Sequence, residues 1–144
     1  MKTVMLAVAA ALLAGPTLAQ QAGPAALQVE FPELATATRD PGCGGRPALA
    51  QQAFCVTTTQ ASIEALADTY NAAFAGQGWL AAGGGDNLVV YVKRRPQGGC
   101  DGFQMLAFAD ETRAPAPDAP AWLAFARVPG DVCAARPATP APAQ

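Results

Sequence analysis

The chain contains no histidine and, among its 144 residues, only one serine, Ser62. The lack of histidine excludes a Ser-His-Asp triad, a Cys-His pair and any imidazole metal site. Ser62 lies beside a predicted helix start, where a hydroxyl usually serves as a first-turn or capping group. Asp86, Asp101 and Asp131 occupy predicted turns, where aspartate commonly serves the backbone. We therefore predict that the protein is not an enzyme, and carboxylate catalysis is the least favoured function.

Motifs for cofactors and metals are also missing. The chain has no GxGxxG or GxxxxGK[ST] sequence, and its one run of three glycines, residues 83–85, follows a predicted helix instead of opening one. Zinc sites need close cysteine pairs, whereas the four cysteines here are separated by 11, 44 and 32 residues. The sequence predicts no cofactor and no metal.

A long apolar run occurs only at the start of the chain. Lys2 precedes an apolar stretch at residues 4–14, and Thr17 and Ala19 are small residues placed for cleavage before Gln20. Eleven residues span about 16 Å as a helix, short of the ~30 Å hydrocarbon core. The pattern predicts a secretory signal peptide at residues 1–19, a periplasmic or extracellular location, and no transmembrane segment after cleavage.

The remaining chain is long enough for one domain. We expect a single α+β domain at residues 20–133, followed by a Pro/Ala-rich tail at residues 134–144 that lacks apolar periodicity and is predicted to be disordered. Removing Lys2 leaves eight basic and eleven acidic residues, a net charge of −3. This charge gives no electrostatic attraction to nucleic acid, so no nucleic-acid partner is expected.

Hydrophobic periodicity predicts the order of the elements. Residues 60–75 repeat apolar side chains at helical spacing, and Thr59 is placed to cap this helix. A helical turn is expected at residues 47–52, a turn at residues 83–87, and strands at residues 27–31, 54–59, 88–93, 103–109 and 121–128. The predicted fold class is α+β, with one amphipathic helix packed on a mostly antiparallel sheet of four to five strands and two disulfides.

Four cysteines in a short exported chain indicate two disulfides, with three possible pairings. The predicted hairpin at residues 96–102 places Cys100 at one end of the sheet, and the last strand returns Cys133 to that end. Cys55 begins a strand expected to run parallel to the strand after the helix, which puts it at the opposite end. The favoured pairing is therefore Cys43–Cys55 and Cys100–Cys133.

One helix covers only one face of such a sheet, whereas the predicted strands carry several aromatic residues. Aromatic side chains on the uncovered face would form a binding surface, for which Tyr91 and Trp122 are the candidates. Lys93, Arg94 and Arg95 form the one basic cluster and are candidate binding residues beside it. We predict a non-enzymatic interaction module that binds an unknown protein or envelope component. The alternative is an inhibitor of an extracytoplasmic enzyme, with the hairpin at residues 94–102 as its inhibitory loop.

Overall fold

A computed structural model of the chain describes residues 28–134. The predicted signal peptide lies outside the described residues, as does the predicted tail from residue 135 onward. The described residues form two helices and six strands, in the order β1 (Thr38–Arg39), α1 (Pro47–Ala50), β2 (Ala53–Thr59), α2 (Ile63–Gly76), β3 (Leu80–Gly85), β4 (Leu88–Arg94), β5 (Cys100–Ala109) and β6 (Pro120–Val128). No helix within residues 28–134 has the length and apolar character needed to cross a bilayer.

The six strands form one sheet in the order β1-β2-β6-β5-β4-β3, and every neighbouring pair is antiparallel. The α+β class is confirmed, but the expected count of four to five strands is wrong. The glycine run expected to form a turn at residues 83–87 instead continues strand β3, and only Asp86-Asn87 turn the chain into β4. Strand β1, which pairs two residues with β2, gave no periodic signal because it is so short.

The predicted strand at residues 27–31 is also wrong over its described part, since residues 28–34 form no regular structure. The alternation has a different cause. Val29 and Phe31 turn inward onto the core, while the Gln77 side chain supplies the backbone contacts that a neighbouring strand would give. The Gln77 amide accepts a hydrogen bond from the Glu30 N–H (2.9 Å) and donates one to the Glu30 carbonyl (2.7 Å).

Helix α2 forms because apolar residues recur along one side, and Leu66, Tyr70 and Phe74 are buried there. It begins at Ile63, three residues later than predicted, because Thr59 still belongs to β2 and Ser62 takes the N-cap position. After the helix, the Trp79 N–H donates to the Phe74 carbonyl at 3.0 Å, and Trp79 folds back into the core.

The core lies between α2 and one face of the sheet, here called the helix face. Phe74 is fully buried at its centre, and its ring lies edge-on to those of Tyr91, Phe103 and Phe125 at centroid distances of 5.2, 4.9 and 5.7 Å. Edge-to-face pairs add about 0.5–1.5 kcal/mol each beyond the area they bury. Packed aromatic rings therefore fill the space between α2 and the helix face.

The strand register assigns the remaining side chains to the opposite face, here called the outer face. Residues directly opposite in an antiparallel pair share a face, and successive residues alternate. Leu88 opposes Leu106, and Leu106 opposes Ala124, which in turn opposes Cys55. This row defines the outer face.

Both disulfides have the pairing that the sequence favoured: Cys43–Cys55 and Cys100–Cys133. One premise of that argument is wrong, however. Because β3 adds a reversal, β4 runs antiparallel to β2, so Cys55 and Cys100 lie in strands that point the same way. They still cannot meet, since Cys55 is level with Leu106, six residues or about 20 Å along β5 from Cys100.

Candidate binding surface

Tyr91 does not reach the surface. It alternates onto the helix face, where it is 2% exposed, stacks on Phe103 and donates a hydrogen bond to the Asn71 side chain. Burial raises the pKa of its phenol to about 12. Tyr91 is therefore a core residue, and the prediction that it lines a binding surface is not supported by its position.

Trp122 does lie on the outer face, but the chain itself covers it. Its ring stacks on Phe108 at 5.6 Å, and its Nε1–H donates to the Asp40 carboxylate at 2.8 Å. Gly44 packs against the indole so closely that a Cβ there would lie 2.9 Å from the ring. The Arg46 guanidinium sits 4.4 Å from the Phe108 ring centroid. Trp122 thus anchors a loop and is left only partly exposed.

That loop, residues 40–52, is called the disulfide loop below. Asp40 organises its first turn by accepting hydrogen bonds from the Gly42 and Gly44 N–H groups at 2.8 Å each. The Gly44 N–H bond is the main cause that lowers the Asp40 pKa, with Gly42, Trp122 and Cys43 adding to it against a partial burial cost. The Cys43–Cys55 bridge then fixes the loop over β2 and β6, so this half of the outer face is closed.

The other half of the outer face is apolar and open. Val90 and Val92 alternate outward from β4, as does Leu88, and Leu80 of β3 lies directly opposite Val92. None of these four residues belongs to either core cluster; Leu80 is 66% exposed, and the other three are half-buried. We call this surface, formed by Leu80, Leu88, Val90 and Val92, the aliphatic face. Among the described residues, no element packs over it.

The basic cluster at the end of β4 does not form one patch. Lys93 points to the helix face, where its Nζ donates to the Gln77 carbonyl at 2.7 Å and so caps the end of α2. Arg95 lies between Asp101 and Asp131 at 3.4 and 3.6 Å. Within residues 28–134, only Arg94 of the three is exposed and has no ion-pair partner.

The hairpin loop between β4 and β5 is held by hydrogen bonds, ion pairs and a disulfide. The Arg95 N–H donates to the Gly99 carbonyl at 2.9 Å, and Asp131 accepts from the Cys100 and Cys133 N–H groups at 2.8 and 3.0 Å. The Cys100 N–H bond is the main cause that lowers the pKa of Asp131. Both thiols beside this carboxylate are consumed by the disulfide, so the three groups do not form a metal site.

A cleft of about 670 Å³ opens on the helix side, between residues 31–39 and α2. Its lining is apolar apart from Tyr70, Thr38, Glu33 and Arg39, and the last three of these are exposed at the rim. Burial raises the pKa of the Tyr70 phenol, whose hydroxyl lies 3.5 Å from the Pro32 carbonyl oxygen. Among the described residues, no side-chain hydrogen bond links Glu33, Thr38 and Tyr70 across this cleft.

Comparison with protein-family models, curated proteins and solved structures found no match to this chain. The functional assignment therefore depends on the surface alone. The open residues missed by the sequence argument are aliphatic, because that argument followed aromatic side chains. The alternation of Leu88, Val90 and Val92 with the inward Val89, Tyr91 and Lys93 was the available signal.

Proposed function

We propose that this protein is an exported, non-enzymatic binding module that docks a protein partner on its aliphatic face. One observation carries the proposal: half of the outer face is closed by a dedicated disulfide loop, while the other half carries the strongly exposed Leu80 and three further aliphatic side chains that are half-buried and that no described element covers. Contiguous apolar surface rimmed by polar residues is characteristic of interaction sites. The two disulfides fit an oxidising compartment such as the periplasm or the extracellular space.

The polar rim supports the same assignment. Gln104 lies level with Val90 on the outer face, and Arg94 continues the β4 row at the hairpin end. Aliphatic centres surrounded by polar groups exclude water while the rim sets orientation and association rate. The surface is carried by two neighbouring strands, so little order has to be gained on binding.

The test is partner capture from envelope extract with two lysine variants that differ only in position. Val90→Lys places a charge in the centre of the aliphatic face, whereas Ala72→Lys places it on the exposed side of α2. We expect Val90→Lys to lower capture by about tenfold or more, because burying an unpaired charge removes a central contact. Ala72→Lys should bind like the wild type.

Both variants must show an unchanged near-UV circular dichroism spectrum and denaturation midpoint before capture is compared. If a folded Val90→Lys protein retains its partner at full strength, the aliphatic face is not the docking surface. Turnover of an envelope substrate by the isolated protein would contradict the non-enzymatic assignment.

The inhibitor alternative keeps support from a separate observation, the bracing of the hairpin by Arg95, Asp131 and Cys100–Cys133. A loop held in this way loses little conformational entropy on binding, as inhibitory loops require. An Arg94→Ala/Gln97→Ala variant separates the two functions. If it abolishes binding while Val90→Lys does not, and the captured partner is an enzyme that loses activity on binding, the inhibitor function replaces the module.

A further inference from the structure

Strand β3 is an edge of the sheet, and within residues 28–134 no strand lies beyond it. Edge strands present unpaired N–H and C=O groups, and proteins usually protect them with charges, proline or very short length. The opposite edge follows this rule, since β1 has two residues, one of them Arg39, and leads into Asp40-Pro41. Strand β3 has six exposed residues with no charge and no proline; only a bulge between Ala81 and Gly83 interrupts it.

The glycines of β3 point to close approach by another chain. Gly84 is needed by the fold itself, because a Cβ there would lie 1.9 Å from the Leu88 carbonyl oxygen. Gly83 and Gly85 are different: a Cβ at either position would meet no atom within 4 Å, and neither has a positive φ. Glycine weakens a strand interior and often marks a bulge, a bend, or the close approach of a ligand or a second backbone. The bulge accounts for Gly83, so Gly85 is the glycine that the described fold of one copy does not explain.

We propose that β3 pairs antiparallel with β3 of a second copy of this chain, about a twofold axis between Ala82 and Gly83. In this register Leu80 lies opposite Gly85, Ala81 opposite Gly84, and Ala82 opposite Gly83. Every residue that has a side chain therefore faces a glycine of the other copy. A twofold interface requires a surface that complements itself. In the sequence Leu-Ala-Ala-Gly-Gly-Gly, the first three residues have side chains and the last three have none, so the two halves of the strand are complementary in size.

Charge is consistent with this pairing. The protein without its predicted signal peptide has a net charge of −3, yet β3 contributes no charged group, so two copies meet at this edge without direct like-charge repulsion. The six strands of each copy become one continuous sheet. Leu80, the one large hydrophobic residue that is strongly exposed within residues 28–134, lies in this register against the Gly85 backbone of the other copy. The pairing does not rest on the proposed function, because it occupies the edge and leaves Leu88 and Val90 open.

The experiment measures self-association by sedimentation velocity at concentrations up to about 1 mM. The protein is purified in the form that the producing cell exports. We expect a monomer–dimer equilibrium. Ala82→Lys places two lysines at diagonal positions beside the axis and should raise the dissociation constant by about tenfold or more. Ala82→Glu should do the same. Mixing the two variants should restore a dimer, because opposite charges then face each other.

The mixing step separates loss of the interface from loss of the fold, since a misfolded variant would not be rescued. Ala72→Lys is the matched control and should dimerise like the wild type. Hydrogen exchange should show protection of the β3 amides that increases with concentration. A monomer at every concentration, protection confined to another region, or failure of the mixture to dimerise would each overturn the proposal. Val90→Lys should still dimerise, so failure of partner docking and failure of edge pairing give different results.

Discussion

The two faces of the sheet are closed by different means. The helix face is covered by α2 and by Val29 and Phe31 of the preceding segment, through aromatic rings packed edge to face. The outer face is covered over β2 and β6 by a loop tied down by a disulfide, and over β3 and β4 by no described residue. One face therefore holds the aromatic core, whereas the other leaves the aliphatic face uncovered by described residues.

The largest expected change in stability comes from a substitution in the core beneath the helix face. Phe74→Ala should lower the free energy of unfolding by about 3–5 kcal/mol, because it opens a cavity among five aromatic rings. Urea denaturation followed by circular dichroism measures the change. Glu64→Ala, on the exposed first turn of α2, is the control and should stay within about 1 kcal/mol. An unmoved midpoint for Phe74→Ala would mean that α2 does not close this face.

The next largest effect is expected when the disulfide that closes half of the outer face is removed. Cys43→Ala/Cys55→Ala should cost about 2–4 kcal/mol and should also shift Trp122 fluorescence to longer wavelength, because the loop over the indole is released.

The matched control removes the other bridge. The Cys100–Cys133 bridge closes a loop of 33 residues, whereas Cys43–Cys55 closes one of 12. Chain entropy therefore predicts that Cys100→Ala/Cys133→Ala lowers the free energy of unfolding by about 1 kcal/mol more, without the fluorescence shift. If both double variants shift the emission equally, the disulfide loop is not what shields Trp122.

A smaller effect concerns Asp40. Its pKa is held below the ordinary value of 3.8, chiefly by the Gly44 N–H, so its stabilising contribution is complete above that value. The loss of this contribution begins as the pH falls below about 4, and it is complete once the pH has fallen through the folded-state pKa. Asp40→Asn should cost about 1 kcal/mol at pH 7 and should flatten this acid dependence.

Denaturation midpoints between pH 2 and 7 measure the difference between Asp40→Asn and the wild type. Asp110 and Asp131, whose pKa values are also lowered, are present in both proteins and cancel in the comparison. Parallel pH profiles for the two proteins would show that Asp40 does not hold the loop through its charge.

The smallest expected effect is the difference in stability loss between substitutions at two neighbouring residues of β4. Val89 points to the helix face and packs on the core, whereas Val90 points outward. Val89→Ala should cost about 1–2 kcal/mol and Val90→Ala about 0.5 kcal/mol or less in the isolated protein. Equal losses by urea denaturation would mean that the aliphatic face is already covered.

Local patterns were enough to predict α2, strands β4 to β6 and the fold class, because these elements have long periodic segments whose apolar side follows from the sequence. Strand β3 was missed because glycine has no side chain to alternate. The segment at residues 28–31 was mistaken for a strand because its inward Val29 and Phe31 have strand spacing, although its backbone partner is a glutamine side chain.

The site was harder to predict than the fold. Whether Trp122 is open depends on Asp40, which lies 82 residues away in sequence, and nothing local to either residue indicates that contact. Tyr91 and Lys93 were assigned to a surface because their face could not be determined without the register. Once one inward residue of β4 is known, strict alternation places the whole strand, so a single long-range contact would have corrected the prediction.

The order of the cysteines has a consequence for oxidative folding. Each bridge joins a cysteine to the next one along the chain, so the two covalent loops are separate and do not interlock. A chain that is oxidised from its amino end reaches both native bonds by joining thiols in the order in which they appear. No mixed pairing has to be undone, and the slow thiol–disulfide exchange that rearranges wrong bonds is not needed to complete this fold.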